Sequence, residues 1–439
     1  MSRFVRASKV RHVYCQPSKP EEHYSNIRLS TATGDHNYIK ANCTYVSVPV
    51  ATGGGALAIQ PLDKPGRFPS QPFVLEDKGA ILDHDFNPFH DNIIATGSDS
   101  CNIKVFGIPP GGLTKNMSDP LVQLHKHQRK VVVLRFHPTA EHVLASGSAD
   151  TTVKIWDIET GDVRMDLKQH GDLLQDVVWN RDGSVMATSC KDKKMRLIDP
   201  RSADTIAEIA AHDGSKTSKL TYLGYHGTLC SVGFTKQSKR QFKIWDPKKL
   251  DKPVCTTDID QAAGVIMPFY DEDTNLLFLG GKGDGNIRYY EIVNDAPWQF
   301  SISDYRATSP CRGLAILPKR ACDVMKTEVV KMMKLTSNSV EPLSFICPRK
   351  SDLFQEDLFP DCYAGKPALT SEEWWAGKNK DPILMSLDPE KRVDDAGGNA
   401  LDTSKLKNPS KSNDVHRLHS YIDQLEKLLI ANNIDLPEM

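Results

Sequence analysis

Residues that could support catalysis occur together in one stretch of the sequence. His127, Ser146 and Asp150 are the three types of a Ser-His-Asp hydrolase, in which histidine is the general base and serine the nucleophile. The same types recur in the following stretch as His170, Ser189 and Asp192. A catalytic nucleophile usually occurs once. The sequence also contains no GxSxG motif, the turn that exposes the nucleophilic serine in many hydrolases. The repetition therefore favours a structural role, and we predict that the protein is not an enzyme.

The structural alternative is a hydrogen-bond network that also includes a tryptophan. Trp156 lies on a predicted strand, and Asp150 lies in the turn before it. His127 comes from the preceding loop, and Ser146 or Ser148 lies on the neighbouring strand. Such a network satisfies buried polar groups while it fixes the packing of loop, turn and strands. We predict a structural tetrad of His127, Ser146, Asp150 and Trp156.

Residues that could bind a metal ion or a cofactor lack a suitable pattern. No two of the ten cysteines form a CxxC pair, which argues against a zinc site and against a disulfide scaffold. His125, His127 and His137 lack acidic partners at metal-binding spacing. The glycine-rich segment GGKGDGN (280–286) is followed by a strand pattern, so no helix N-terminus is available to hold a dinucleotide phosphate. We predict no metal and no cofactor.

These residues belong to a repeat. Each copy has a turn rich in Gly, Ser and Asp, followed by a short alternating strand with an aromatic or aliphatic end. The copies are GSDSCNIKVFG (97–107), GSADTTVKIWD (147–157), SCKDKKMRLID (189–199), FKIWD (242–246) and GGKGDGNIRYYE (280–291). Their strand ends, Phe106, Trp156, Ile198, Trp245 and Tyr290, are spaced by 50, 42, 47 and 45 residues. A period near 40–45 residues with a Trp-Asp ending is typical of the four-stranded blades of a propeller.

Two weaker copies extend the repeat outward. NCTYVSVPV (42–50) would end a blade at Val50, and VEPLSFICP (340–348) would end one at Phe345. Seven blades form a closed ring, which protects strand edges. Closure requires a blade that both termini share, and RHVYC (11–15) could join the strands near 310–347. We therefore predict an all-β fold, a seven-bladed WD-repeat β-propeller over residues 1–348.

Composition limits the function further. The 439 residues carry 55 Lys and Arg against 56 Asp and Glu, a net charge of −1, which argues against a protein that mainly coats nucleic acid. No apolar run reaches the 18 residues of a membrane helix, and the N-terminus lacks the apolar core of a secretory signal. We therefore expect an intracellular protein with no transmembrane segment and no nucleic-acid partner.

The rest of the chain carries no repeat. Residues 349–387 include Trp374 and Trp375 after a predicted helix start at Thr370, and they are too aromatic for a free tail, so we predict an extension packed on the propeller. Residues 388–413 are rich in Asp, Lys, Ser, Asn and Gly, the composition of a flexible linker.

Residues 414–436 have a heptad pattern with apolar 3-4 spacing, which predicts an oligomerising coiled coil. The predicted contact positions are Val415, Leu418, Ile422, Leu425, Leu429, Asn432 and Leu436. The alternative is a single amphipathic helix docked on the propeller. The linker and the narrow seam favour a second copy of the same helix.

Five long segments resemble the coronins, a family of actin-filament-binding WD-repeat proteins. They are SKVRHVYCQPSKPEEHYSNIRLS (8–30), CKDKKMRLIDPR (190–201), MPFYDEDTNLLFLGGKGDGNIRYYE (267–291), RGLAILPKR (312–320) and PRKSDLFQEDLFPD (348–361). The order of propeller, extension, linker and coiled coil also agrees. The sequence resembles the short members with one propeller.

The resemblance implies binding to filamentous actin, regulation of filament organisation and turnover, and a place in the actin-rich cell cortex. It also implies cofilin and the branched-actin-nucleating complex as partners. The family's filament-binding arginine falls on Arg28 in YSNIRLS. Because filament surfaces are acidic, we add the nearby basic residues Arg6, Lys9 and Arg11 to the predicted actin contact.

Further basic clusters are also candidates for this contact. They are Arg129 and Lys130; Lys191, Lys193 and Lys194; Lys236, Lys239 and Arg240; and Lys248, Lys249 and Lys252. Single contacts of this kind are weak at physiological salt, so oligomerisation would raise affinity through avidity.

Two alternatives stay open. The family's trimer-specifying motif lacks its arginine here, because Tyr421 occupies that position in YIDQLE (421–426), which argues against a trimer and leaves dimer or tetramer open. The repeat alone also fits a generic WD-repeat scaffold or adaptor for a complex without actin. Only the five long segments favour the coronin interpretation.

Overall fold

The computed structural model describes residues 6–392 except 33, 53, 69 and 76–78. Strands β1 (Tyr14–Pro17) and β2 (Tyr24–Ser25) precede the first blade. Blade 1 contains β3 (Lys40–Ala41), β4 (Tyr45–Ala51), β5 (Gly55–Pro61) and β7 (Val74–Leu75), and β6 (Gly66–Arg67) pairs with β2. Blade 2 contains β8 (Ile81–Phe86), β9 (Ile93–Ser98), β10 (Asn102–Gly107) and β11 (Val122–His125). Blade 3 contains β12 (Val131–Phe136), β13 (Val143–Ser148), β14 (Val153–Asp157) and β15 (Asp162–Leu167).

The remaining blades follow in chain order. Blade 4 contains β16 (Leu174–Trp179), β17 (Met186–Cys190), β18 (Lys194–Ile198) and β19 (Thr205–Ala210). Blade 5 contains β20 (Lys219–Tyr222), β21 (Leu229–Phe234), β22 (Arg240–Trp245) and β23 (Cys255–Asp260). Blade 6 contains β24 (Ile266–Asp271), β25 (Leu276–Gly281), β26 (Asn286–Ile292) and β27 (Gln299–Arg306). Blade 7 contains β28 (Gly313–Ile316), β29 (Glu328–Leu335) and β30 (Val340–Ile346).

Both ends of the described chain complete blade 7. Strand β1 pairs antiparallel with β30, from Tyr14 opposite Ile346 to Pro17 opposite Leu343. The first strands of all seven blades line one central cavity of about 300 Å³. The predicted seven-bladed propeller, closed by an early strand, is therefore confirmed.

The strands differ in burial according to their distance from the ring centre. The middle strands β9 and β13 are buried at every position, because neighbouring blades cover both of their faces. Outer strand β19 instead alternates between exposed and half-buried residues along most of its length, since one face meets solvent. The Gly-Ser pairs of two repeat copies end these middle strands, and the aspartates that follow, Asp99 and Asp150, lie in the turns before the third strands.

One predicted strand end is wrong. Val50 lies on β4, the second strand of blade 1, whereas the third strand is β5. The other six predicted ends lie on third strands, as Phe106, Trp156, Ile198, Trp245, Tyr290 and Phe345. Strand β5 reads GALAIQP and has neither an aromatic end nor a following Asp, so the pattern selected its more β-branched neighbour.

The segment after blade 7 packs on the propeller. It contains β31 (Cys362–Tyr363), the short helix α1 (Ser371–Trp375) and β32 (Leu384–Met385). Thr370 caps α1 by accepting a hydrogen bond from the Glu373 N–H at 3.2 Å, as the sequence predicted. Trp374 is fully buried, and its ring lies 4.7 Å from that of His137 and 5.9 Å from that of Trp179.

Two predicted segments lie wholly or partly beyond the described residues. The structure describes only residues 388–392 of the predicted linker. The predicted coiled coil over 414–436, from Val415 to Leu436, lies outside the described residues altogether.

Candidate interaction surfaces

The two ends of the propeller present different connections. We name the strands of each blade a to d from the centre outward. The turns between b and c and the connections from d to the next a form one end, which we call the b–c face. The a–b and c–d connections form the other, which we call the a–b face. Because paired strands are antiparallel, this assignment holds around the ring.

The predicted tetrad lies in blade 3, next to the b–c face. His127 Nε2 is 2.7 Å from Ser146 Oγ, and its Nδ1 is 2.8 Å from Asp150 Oδ2. The Trp156 indole donates to Ser146 Oγ at 2.7 Å. The structure thus brings the four residues together in the predicted order, with Ser146 rather than Ser148. Ser148 Oγ instead donates to the carbonyl oxygens of the entering loop.

This geometry suits a structural network better than a catalytic one. Ser146 is fully buried, so a substrate cannot reach its hydroxyl. Burial opposes ionisation of Asp150, but hydrogen bonds from His127, the Gln128 N–H and Thr152 outweigh it and hold the Asp150 pKa well below its usual range. The carboxylate therefore stays charged and ties the loop to the turn.

The second set corrects one predicted residue. His170 Nε2 is 2.9 Å from Thr188 Oγ1, while Ser189 Oγ donates to the Ser218 carbonyl in the next blade. Thr188 lies opposite Arg196 just as Ser146 lies opposite Lys154, so the two hydroxyls share one register position. Ser189 is one residue further along and faces the other side of the sheet. Asp192 accepts a hydrogen bond from Arg196 at 2.7 Å.

A third histidine, serine and tryptophan network was not predicted from the sequence. His212 Nε2 is 2.9 Å from Ser231 Oγ, and the Trp245 indole donates to the same oxygen at 2.8 Å. Here the serine and tryptophan are 14 residues apart, against 10 in blade 3, because the hairpin is longer. In place of an aspartate, Gln241 contacts His212, with its Nε2 3.3 Å from His212 Nδ1. The FKIWD segment (242–246) could have indicated this network, because it contains Trp245 at the same place as Trp156 in VKIWD.

Carboxylates do line the central cavity, although the sequence did not identify them. Each bonds a backbone N–H of the next blade: Asp83 to Leu134 at 2.9 Å, Asp85 to Phe136 at 3.1 Å and Asp176 to Leu220 at 3.0 Å. Arg135 bridges two of them, and Lys40 pairs with the third. These groups link adjacent blades. Among the described residues, no group of three or more His, Cys, Asp or Glu is placed to hold a metal ion.

Arg28 lies between the b–c turns of blades 7 and 1. The Ile27 N–H donates to the Asn338 carbonyl at 2.9 Å, and the Ala51 N–H donates to the Arg28 carbonyl at 2.8 Å. The side chain is exposed and has no ion-pair or hydrogen-bond partner among the described residues. Two neighbouring turns therefore fix the backbone and leave the guanidinium available.

The other predicted N-terminal contacts lie on the a–b face. Arg6 pairs with Glu291, and its guanidinium lies 3.9 Å from the Phe300 ring centre. Lys9 donates to two carbonyl oxygens, those of Asp357 at 2.9 Å and Asp273 at 3.3 Å. Arg11 donates to the Arg6 carbonyl. These side chains hold the N-terminal segment against blade 6 and the C-terminal extension.

The sequence placed Arg28 and these three residues in one contact, and the structure separates them. Tyr14 pairs with Ile346, and Tyr24 pairs with Val340, at opposite ends of β30. At 3.3 Å per residue, the strand holds these ends about 20 Å apart. Nearness in sequence misled the prediction, because the segment runs the length of a blade.

The remaining basic clusters also divide between the faces. The clusters at 129–130, 191–194 and 236–239 lie on the b–c face, and the one at 248–252 lies on the a–b face. Arg240 is no surface candidate, because it is fully buried and bonds both Asp260 oxygens at 2.6 Å. The described residues include no helix long and apolar enough to cross a membrane.

Comparison with known proteins identifies relatives over most of the chain. Family models match at residues 3–67 (a domain of unknown function, DUF1899), 118–157 and 161–199 (WD domain, G-beta repeat), and 340–382 (a type of WD40 repeat). Coronin-A of Dictyostelium discoideum is 42% identical over 388 residues, which cover 88% of this chain and 87% of that protein. Coronin-2A of Homo sapiens is 38% identical, with 88% and 75% covered. The crystal structure of the WD40 domain from Toxoplasma gondii coronin superposes with a TM-score of 0.82 at 33% identity, covering 87% of this chain and 98% of that one.

Proposed function

Because this chain belongs to the coronin family, we propose that it binds actin filaments and regulates the organisation and turnover of the actin cytoskeleton. Within this structure, the proposal depends on the position of Arg28. Its backbone is fixed by two turns and its guanidinium is unpaired among the described residues. A guanidinium held in this way loses little conformational freedom on binding a carboxylate of an acidic surface.

We place the filament contact on the b–c face. Arg28 and three of the basic clusters, including Lys130 and Lys191, lie there. Arg6, Lys9 and Arg11 were candidates for the same contact, but their charged groups already bind carboxylate or carbonyl oxygens of this protein. Their contribution to filament binding should therefore be smaller than that of Arg28.

Self-association would multiply a weak contact. Exposed charge pairs are screened over about 8 Å at physiological salt, so one propeller should bind a filament weakly. A coiled coil over 414–436 would connect several propellers and allow cross-linking or bundling. We propose cofilin and the branched-actin-nucleating complex as partners at the same filaments, and the actin-rich cell cortex as the location of the protein.

Co-sedimentation with actin filaments tests the proposal. The wild-type chain should pellet with filaments, less so as salt rises, and Arg28→Asp should remain largely in the supernatant. Lys248→Asp makes the same charge change at an exposed site on the a–b face and serves as the matched control. If the wild-type chain stays in the supernatant at low salt, the actin proposal fails and the scaffold or adaptor alternative gains support.

A further inference from the structure

A second cavity, of about 470 Å³, opens at the b–c face end of the central channel. Its charged lining consists of Lys130, Lys191, Lys216 and Lys219 against a single carboxylate, Asp35. No carboxylate oxygen lies within 4.0 Å of any of the four ammonium groups in the part of the chain that the structure describes. Asp35 accepts a hydrogen bond from Thr217. The cavity therefore holds an excess of positive charge that the described residues do not neutralise.

Lys219 is the buried centre of this charge. Its residue is only 8% exposed, and its ammonium donates to the Gln175 carbonyl at 2.6 Å. Other strongly buried cations meet a carboxylate: Lys319 meets Asp271 at 2.6 Å, and Lys334 meets Glu341 at 3.3 Å. A buried ammonium without a counter-ion is costly, so an anion that entered the cavity would gain an unpaired charge.

His36, like Lys219, lines both this cavity and the central one. The residue is 8% exposed, and its Nε2 has no hydrogen-bond partner among the described residues. Burial, with help from Lys282 and Lys219, lowers the pKa of His36 to about 3 despite the opposing charge of Asp83. The imidazole is therefore neutral and can offer one N–H to an acceptor.

The rest of the wall limits the kind of anion. Much of it is apolar, including Leu82, Val132, Leu174 and Val265, which a sugar phosphate or an inositol phosphate would leave uncovered. The lining contains no Phe, Tyr or Trp on which a nucleic-acid base could stack. Four ammonium groups that line one cavity suit a dianion better than a single carboxylate.

We propose that this cavity binds a phosphorylated serine or threonine of a partner peptide, with the phosphate on Lys219 and His36 and the flanking side chains on the apolar wall. Lys130, Lys191 and Lys216 at the mouth attract the anion and neutralise its remaining charge. The cavity shares Lys130 and Lys191, but not Arg28, with the proposed filament contact. Peptide retention is measured without filaments, so the inference does not depend on filament binding.

Retention of degenerate peptide pools tests the proposal. Two pools with random flanks, one with a fixed central phosphoserine and one with serine, are passed over the immobilised full-length protein at physiological salt. We expect at least tenfold greater retention of the phosphoserine pool, and loss of this preference in Lys219→Gln. Lys236→Gln changes an exposed lysine of the same blade outside the cavity and should retain the preference.

A second measurement separates a lost site from a lost fold. Lys219→Gln removes an unpaired buried charge, so its midpoint of thermal unfolding should equal or exceed that of the wild type. Equal retention of the two pools by the wild type would overturn the proposal, as would an unchanged preference in Lys219→Gln or an equal loss in Lys236→Gln. Binding of inositol hexakisphosphate, or of vesicles with phosphatidylinositol bisphosphate, without phosphopeptide preference would assign the cavity to another anion.

Discussion

The a–b face and the b–c face of this propeller use similar residues in different ways. On the a–b face, Arg6, Lys9 and Trp374 are all engaged, the first with Glu291, the second with two carbonyl oxygens and the third in a buried aromatic cluster. On the b–c face, Arg28 and Lys219 have no carboxylate partner among the described residues. The difference indicates that the segment from Arg6 and the extension after blade 7 stabilise the a–b face, while the b–c face carries cationic side chains without a carboxylate partner among the described residues.

The largest expected effect is the loss of Trp374 from the a–b face. The side chain is fully buried between His137 and Trp179, so Trp374→Ala should lower the free energy of unfolding by about 3–5 kcal/mol. Denaturant unfolding followed by circular dichroism measures this. Leu353→Ala, at a residue that is 76% exposed in the same extension, should change stability by less than about 0.5 kcal/mol. Equal effects would show that the extension does not stabilise the a–b face.

A second prediction concerns the tetrad near the b–c face. Ser146→Ala leaves the Trp156 indole and His127 Nε2 buried without their partner, which should cost about 2–3 kcal/mol. Ser189→Ala removes one hydrogen bond to a carbonyl and should cost about 1 kcal/mol. The same unfolding measurement compares them. If Ser189→Ala is the more damaging, the assignment of the network to Ser146 is wrong.

These residues show what the sequence could predict. The turn residues and strand ends repeat because every blade packs its four strands in the same way. The fold and the blade 3 tetrad could therefore be predicted from the sequence. The role of Thr188 in the blade 4 network and the position of β5 as a third strand were not predicted. A threonine hydroxyl can replace that of a serine, and the alanine-rich β5 packs where other blades have a strand with an aromatic end. The separation of Arg6 from Arg28 could not be predicted from the sequence, because it depends on the pairing of the N-terminal strands β1 and β2 with β30.

The charged cavity was missed for a related reason. Lys219 begins strand β20 of blade 5, His36 lies in the connection that enters blade 1, and neither carries a motif in the sequence. They come together only when the ring closes and places both in the lining of one cavity, where no carboxylate oxygen of the described residues lies within 4.0 Å of the Lys219 ammonium. Burial of a charge is a property of the assembled ring, so a one-dimensional pattern does not contain it.

The smallest expected effect on stability gives the sharpest contrast between the faces. Arg6→Ala removes the pair with Glu291 and the contact with Phe300, and should cost about 1 kcal/mol. Arg28 is exposed, and Arg28→Ala breaks no side-chain hydrogen bond or ion pair in the described part of the chain, so its free energy of unfolding should stay within about 0.5 kcal/mol of the wild type. Filament co-sedimentation should show the reverse order, with Arg28→Ala strongly impaired and Arg6→Ala close to the wild type. Arg6 and Arg28 lie on the same N-terminal segment. If Arg28→Ala lost both stability and filament binding, Arg28 would act by holding this segment in place.

If Arg6→Ala lost only stability and Arg28→Ala lost only filament binding, one short segment would serve stability at the a–b face and recognition at the b–c face.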